Sequence, residues 1–307
     1  MQNSNHLLMI QPVNFGFNAE TAVNNSFQAD TGENVQALAL EEFNNLVELL
    51  KAKGIYVSVI ADTPEPFTPD SIFPNNWISF HETGEVVLYP MFAANRRLER
   101  KSSLLDHLKA EIAISHIHDL SVHENENRFL EGTGSMVLDR KHRIAYASLS
   151  PRTSETLVKE FCGIMNYEAV TFHSFDNDGC AIYHTNVMMS IGNEFAIVCL
   201  DAVTAEPEKQ QLISCFTITG KEIIDISMEQ VNNFAGNMLQ VVNKDGQPFL
   251  IMSSRAYNSL SSVQKIRLGK YNELLHVPLT AIETAGGGSA RCMIAEIFNA
   301  PANKKAP

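Results

Sequence analysis

Basic residues are scarce in this chain of 307 residues: 23 Lys and Arg stand against 35 Asp and Glu, a formal net charge of −12. Nucleic acid selects basic surfaces, so that class of partner is excluded. The acidic excess reads as a solubility feature and leaves the charge of a substrate open. Cysteine is also sparse. Cys162, Cys180, Cys199, Cys215 and Cys292 are scattered and odd in number. With no CxxC pair and no zinc-type spacing, they exclude a disulfide framework and a structural zinc site. His116 and His118 alternate on a predicted strand without a third ligand at useful spacing, so no metal is expected. No apolar run approaches bilayer-spanning length, which excludes a membrane partner. The first six residues lack the basic flank and apolar core of a signal peptide. These absences set the expectation of a reduced, soluble, cytoplasmic protein. A Gly-x-Ser-x-Gly elbow is missing too, which removes the hydrolases built on it.

What is present is a repeat. Strands at 77–80 and 85–89 flank the turn Glu82-Thr83-Gly84, a hairpin signature, followed by a helix over 95–110 and a strand over 112–117. A second unit has strands at 136–139 and 144–148. Its helix has Ser150 as cap and Pro151 in the first turn, and a strand over 167–172 follows. The third pairs 187–191 with 195–200, then a helix over 207–216 and a strand over 222–226. The fourth pairs 239–242 with 248–252, then a helix over 254–268 and a strand over 275–279. The period, roughly 50–57 residues, lies near the range of propellers and solenoids. A fifth unit is split between the chain ends. Strands 293–298 and 6–10 form its hairpin, and a helix over 34–52 presents Ala39, Phe43, Leu46 and Leu50 on one face. Gly54 ends that helix, and a strand over 56–60 completes the unit. Joining the ends in one unit closes a ring and hides its sheet edges. One closed α/β domain over 1–307 is therefore expected over an open mixed sheet.

The register of the repeat makes scattered polar residues comparable. Asp70 with Asn75-Asn76 precedes the first hairpin, and Glu131 in Leu130-Glu131-Gly132-Thr133-Gly134-Ser135 the second. His184 with Thr185-Asn186 precedes the third, and Phe234-Ala235-Gly236-Asn237 the fourth. The run Gly286-Gly287-Gly288-Ser289 with Cys292 precedes the fifth. Glycines let a backbone turn tightly and approach a ligand. A cysteine at the exit of such a turn is placed as a nucleophile. In a closed ring these equivalent points meet at one end of the axis. Each residue also has an ordinary reading as a turn, cap or core group.

At these residues the chain resembles the guanidino-group-modifying, or pentein, superfamily, which includes amidinotransferases, arginine and dimethylarginine deiminases and arginine dihydrolases. The carriers are Phe67-Thr68-Pro69-Asp70, Leu130-Glu131-Gly132, His184-Thr185-Asn186 and Gly286 to Cys292. Phe73-Pro74-Asn75-Asn76-Trp77 and Tyr183 to Met189 look closest to the citrulline-utilization hydrolases. The resemblance implies a five-bladed α/β propeller and covalent catalysis with no metal or cofactor. Cys292 would attack the central carbon of the substrate. His184, held protonated by a carboxylate-lined pocket, would give a proton to departing ammonia and then activate water. Asp70 and Glu131 would bind the substrate nitrogens.

The chain departs from the deiminase pattern. Glu-Gly-Gly-Asp becomes Glu131-Gly132-Thr133-Gly134, and His-x-Asp becomes His184-Thr185-Asn186, so two carboxylates are lost. A neutral ureido group suits amide donors such as Asn75, Asn76 or Asn186. The expectation is therefore hydrolysis of citrulline to ornithine, ammonia and carbon dioxide. An arginine deiminase or dihydrolase, a dimethylarginine hydrolase, an amidinotransferase and a non-catalytic binding propeller stand as alternatives. The partner is a small amino acid whose α-carboxylate Arg96 and Arg97 could hold in a bidentate fork, with Asn14 a further pocket candidate. The sequence leaves the oligomeric state open, a homodimer included.

Overall fold

The computed structural model describes residues 1–30, 32 and 35–302. The backbone forms five separate three-stranded sheets, all built to one plan. In each, an antiparallel pair is followed by a third strand parallel to the middle one. Ile78–Phe80, Glu85–Leu88 and His116–Asp119 make one sheet. Val137–Asp139, Ile144–Ser148 and Glu168–Phe172 make the next. Met189–Ile191, Phe195–Val198 and Glu222–Asp225 follow, then Leu239–Val242, Pro248–Ser253 and Glu273–Val277. The fifth sheet joins the two ends of the chain. Ala295–Ile297 runs antiparallel to His6–Gln11, with His6 opposite Ile297, and Tyr56–Ala61 lies parallel on its other side.

Parallel neighbours need a crossover, and each sheet obtains one from the helical segment between its second and third strands. Apolar spacing decides which helix face is buried. Phe43, Leu46 and Leu50 of the helix Val35–Ala52 pack with Leu7, Met9 and Val57. Leu104 and Leu108 pack with Ile78, Phe80 and Val86. Leu157 and Phe161 lie on Ala145 and Ala147, and Leu212 and Phe216 on Ile197 and Tyr146.

Several local expectations are corrected. The single helix expected over 95–110 is two, Ala94–Arg97 and Ser102–Glu111. That expected over 254–268 is also two, Ser254–Ser259 and Ser262–Gly269. The second opens with its own capping box from Ser261 and Gln264, which gives the chain a reason to restart. Ser150-Pro151 does not begin the second crossover helix, which is Glu155–Met165 with Ser154 before it. Ser150 instead accepts the Arg152 N–H through its hydroxyl. The strand expected from 187 is a helical turn, Thr185–Met188, before Met189–Ile191. The strand expected over 112–117 begins at His116. Asn34, the expected first residue of the first helix, lies outside the described residues. Among those residues, no helix is long and apolar enough to cross a membrane.

Neighbouring sheets are tied by buried polar groups as well as by the core. The Lys221 ammonium, beside the strand Glu222–Asp225, sits 3.1 Å from Asp139 Oδ2 on the adjacent sheet, both side chains inaccessible to solvent. It also donates to the Asn193 carbonyl at 2.9 Å. Removing one partner of a buried pair leaves the other charge uncompensated. Asp139→Ala should therefore cost about 3 kcal/mol of unfolding free energy, read from urea titrations. An unchanged midpoint would show that Lys221 reaches water without it.

Candidate active site

The glycine run ends a helix. Gly287 follows Thr280–Gly286 with φ +62°, a left-handed cap that a side chain disfavours, and its N–H closes on the Glu283 carbonyl. The chain then turns so that the Cys292 N–H meets the Ser289 carbonyl at 2.9 Å, while the Ser289 hydroxyl is anchored on Glu283 Oε1 at 2.6 Å. Two amides face the resulting sulfur. Asn237 Nδ2 lies 3.2 Å and Asn186 Nδ2 3.5 Å from Cys292 Sγ.

Glu131 and His184 occupy equivalent places in successive units, each just ahead of a one-turn helix. Their side chains meet, with His184 Nε2 2.7 Å from Glu131 Oε2 and both buried. Arg152 Nη1 stands 3.5 Å from the same oxygen, and the Phe92 N–H donates to Glu131 Oε1 at 2.9 Å. Burial works against the Glu131 charge, but Arg152 and the His184 hydrogen bond outweigh it and hold the carboxyl well below the usual range. Glu131 is thus an ionised acceptor, so His184 Nε2 donates. Burial also dominates at His184, lowering its pKa in spite of Glu131. The imidazole is therefore neutral at neutral pH, with its lone pair on Nδ1. This corrects the expectation of a protonated histidine: the adjacent carboxylate does not compensate for complete desolvation, which Arg152 and Arg96 reinforce.

Asp70 is the third buried group. Asn18 Nδ2 and the Thr21 hydroxyl donate to its Oδ2 at 2.7 and 3.1 Å, whereas Oδ1 has no partner. Burial raises its pKa against the pull of Arg96 and those hydrogen bonds.

These groups share one cavity. Cys292, His184, Asp70, Asn76, Arg96, Arg152, Tyr183, Phe73, Thr21, Asn25 and Gly286 to Gly288 line a space of about 20 Å³. That is room for about one water molecule. Thr21 and Asn25, from the segment after the first strand, form part of its wall. Asn25 Nδ2 and the Tyr183 hydroxyl both donate to the Gly287 carbonyl.

Other expected site residues are placed differently. Glu131 does not line the cavity, because its two oxygens are taken by His184, Arg152 and the Phe92 amide. Arg96 lines it, but its fork is given to Glu99, with Nε to Oε1 at 2.8 Å and Nη2 to Oε2 at 3.0 Å. Its Nη1 holds Asn76 Oδ1 at 2.9 Å, so no fork is left for a substrate carboxylate. Arg97 points away, donating to the Met91 and Phe92 carbonyls. Asn14 is tied to the Pro64 carbonyl outside the cavity. Asn75 is fully buried behind Asn76 and does not line it, and Asn186 faces the sulfur instead. Arg152, Tyr183, Thr21, Asn25 and Asn237 were not assigned a role from the sequence. Asn237 had a signal in its position ahead of the fourth hairpin, and Tyr183 in the segment Tyr183 to Met189.

The match to known proteins follows this geometry. The model of the family described as N,N dimethylarginine dimethylhydrolase, eukaryotic, matches residues 11–299. Among solved structures, the apo form of ArgZ, described as an arginine dihydrolase from the ornithine-ammonia cycle in Cyanobacteria, superposes with a TM-score of 0.74. It shares 18% identity, covering 94% of this chain and 40% of that one. The chain thus spans well under half of full-length ArgZ. The isolated N-terminal domain of ArgZ bound to substrate gives 0.75 at 18% identity, covering 95% and 99%. A dimethylarginine dimethylaminohydrolase adduct with S-methyl-L-thiocitrulline gives 0.65 at 14%, covering 95% and 99%. At such identities these structures share a fold with the chain. The comparison with curated proteins gave no match.

Two outcomes follow from the site. A Cβ on Gly134 would stand 2.3 Å from Asn76 Nδ2 and 2.9 Å from His184 Nδ1. Gly134→Ala should displace both and lower kcat/KM by about 100-fold in a folded protein; wild-type kinetics would show that the imidazole position is not critical. Asp70 carries a pKa raised above 3.8, so folding disfavours its charge at every pH above that value. Asp70→Asn should therefore unfold at higher urea concentration than wild type at neutral pH, with the gap closing below pH 3.8. Equal midpoints at neutral pH would contradict the assignment.

Proposed function

The chain belongs to the N,N-dimethylarginine dimethylhydrolase family of the pentein superfamily, the guanidino-group hydrolases, and from that premise we propose that it hydrolyses arginine or an N-methylated arginine through Cys292. The observation that carries the substrate class is Asp70 Oδ1, a buried carboxylate oxygen without a partner in the wall of the cavity that holds the sulfur. A guanidinium brings N–H donors and the positive charge that restores the Asp70 carboxylate. A ureido group brings donors but no charge. Citrulline, the substrate expected from the missing carboxylates, is thus the weaker reading. Gly134 stands where one of those carboxylates would be, and the close approach of Asn76 and His184 leaves no room for a side chain there.

Cys292 Sγ forms the bond to the guanidino carbon. His184 Nδ1 takes the thiol proton and delivers it to the departing ammonia or methylamine. A water molecule then enters, His184 takes its proton, and the oxygen displaces the sulfur to leave a ureido product. Glu131 is a positioning residue. It fixes the tautomer through Nε2 and stabilises the imidazolium formed in each step, while Arg152 keeps it ionised. Asp70 holds the substrate nitrogens.

We further infer that the five sheets close into one ring, a five-bladed propeller forming a single domain. Hydrogen bonds at all five seams support this: Asn299 Nδ2 to Gly84 O, Leu130 N to Pro90 O, the Thr185 hydroxyl to Ser135 O, Asn237 Nδ2 to Asn186 O, and Val242 N to Ser4 O.

Incubation with arginine, N-methylated arginines and citrulline, followed by amine and amino-acid analysis, tests the reading. Release of ammonia or methylamine with a ureido product from a guanidino substrate is expected, and Cys292→Ser should abolish it. Turnover of citrulline alone would overturn the substrate class. Amidino transfer to an added amine with no hydrolysis would make the protein a transferase.

A further inference from the structure

We propose that Asn237 is a catalytic residue that holds negative charge on the Cys292 sulfur, an inference that rests on the nucleophile assigned above. Its amide orientation is fixed by the protein on both sides. Asn237 Oδ1 accepts the Arg291 N–H at 3.0 Å, and Nδ2 donates to the Asn186 carbonyl at 3.0 Å. The atom left facing Cys292 Sγ at 3.2 Å is therefore the N–H donor.

The backbone supports this placement. Asn237 is buried three residues after Phe234, whose φ of +61° is in the left-handed region. The preceding Gly236 lies against the Val187 carbonyl, where a Cβ would come within 2.2 Å. The fourth unit is thereby pressed against the third, and the Asn237 amide reaches across to both Asn186 and the sulfur. Asn186 Nδ2 supplies a second N–H to the sulfur at 3.5 Å, from a side chain whose Oδ1 has no partner. Asn237 is the shorter and better anchored of the two.

Two N–H dipoles aimed at one buried sulfur stabilise negative charge as it develops there, because hydrogen bonds to a charged group exceed those to a neutral one. The attacking species is the thiolate. In the covalent intermediate the sulfur is neutral, so the same donors stabilise it again as the leaving group when the carbon–sulfur bond breaks. Asn237 does not line the substrate cavity, so its effect falls on kcat rather than on substrate binding.

The test is Asn237→Ala in the full chain, with two readouts. Alkylation of Cys292 by iodoacetamide at neutral pH, followed by mass spectrometry of the Cys292 peptide, is expected to slow at least tenfold. With arginine or an N-methylated arginine, kcat should fall at least tenfold with KM within twofold. A packing role alone predicts the opposite first result, since the space left by the amide admits the reagent faster. Wild-type or faster alkylation in a folded variant would overturn the proposal. Should Asn237→Ala fail to fold, Asn237→Ser is read by the same criteria. Alkylation needs no substrate, so an enzyme inactive on every guanidino compound would refute the proposed function and still leave the Asn237 readout decisive.

Discussion

The hydrogen bond from His184 to Glu131 is the constraint on which the site depends. It joins two one-turn helices from successive units, and it is made in full burial, where an unpaired partner is most costly. Arg152 makes it possible by holding Glu131 ionised. The charged acceptor then dictates the imidazole tautomer, and the tautomer leaves Nδ1 free. A single buried arginine thus decides which histidine nitrogen can carry protons. Its own position is secured by Asn24 and the Thr21 carbonyl, both on the segment that contributes Thr21 and Asn25 to the cavity wall.

Around this pair the molecule keeps polar groups whose requirements are unmet. Asp70 Oδ1, Asn76 Nδ2 and Asn186 Oδ1 are all buried and unpartnered, a combination that natural cores avoid. Asp70 and Asn76 lie in the cavity wall, and Asn186 lies against the sulfur. Such groups lower stability; a cationic N–H donor would satisfy Asp70 Oδ1, whereas Asn76 Nδ2 needs an acceptor. Under the proposed function Asp70 is where a guanidinium would dock, in a space that the segment bearing Thr21 and Asn25 helps to line.

The sheets were readable because apolar alternation and hairpin turns are local signals. That let the split fifth unit be recognised from strands near 6–10 and 293–298. Helix breaks at 98–101 and 260–261 were missed because periodicity continues across them. The short helices at 132–135 and 185–188 carry no periodic signature. Cys292, His184, Glu131 and Asp70 were legible through equivalent positions in the repeat. Arg152, Thr21 and Asn25 were not, because they reach the cavity from non-repeating segments. The reverse error occurred at Arg96 and Arg97. Two adjacent arginines suggest a carboxylate fork, but Glu99, three residues on, claims the first, and nearby carbonyls claim the second. Composition identifies a donor; only the fold shows where it is spent.

The central claim is that one sulfur carries the substrate carbon while a neutral imidazole moves the protons. Acid-quenching the enzyme during turnover of arginine or an N-methylated arginine, then weighing the Cys292 peptide, tests it most directly. The account predicts a covalent thiouronium adduct on that peptide, one that keeps the substrate's amino-acid chain after loss of the amine, and none on another cysteine. Turnover with Cys292 unmodified throughout, or undiminished turnover after its replacement by serine, would contradict it.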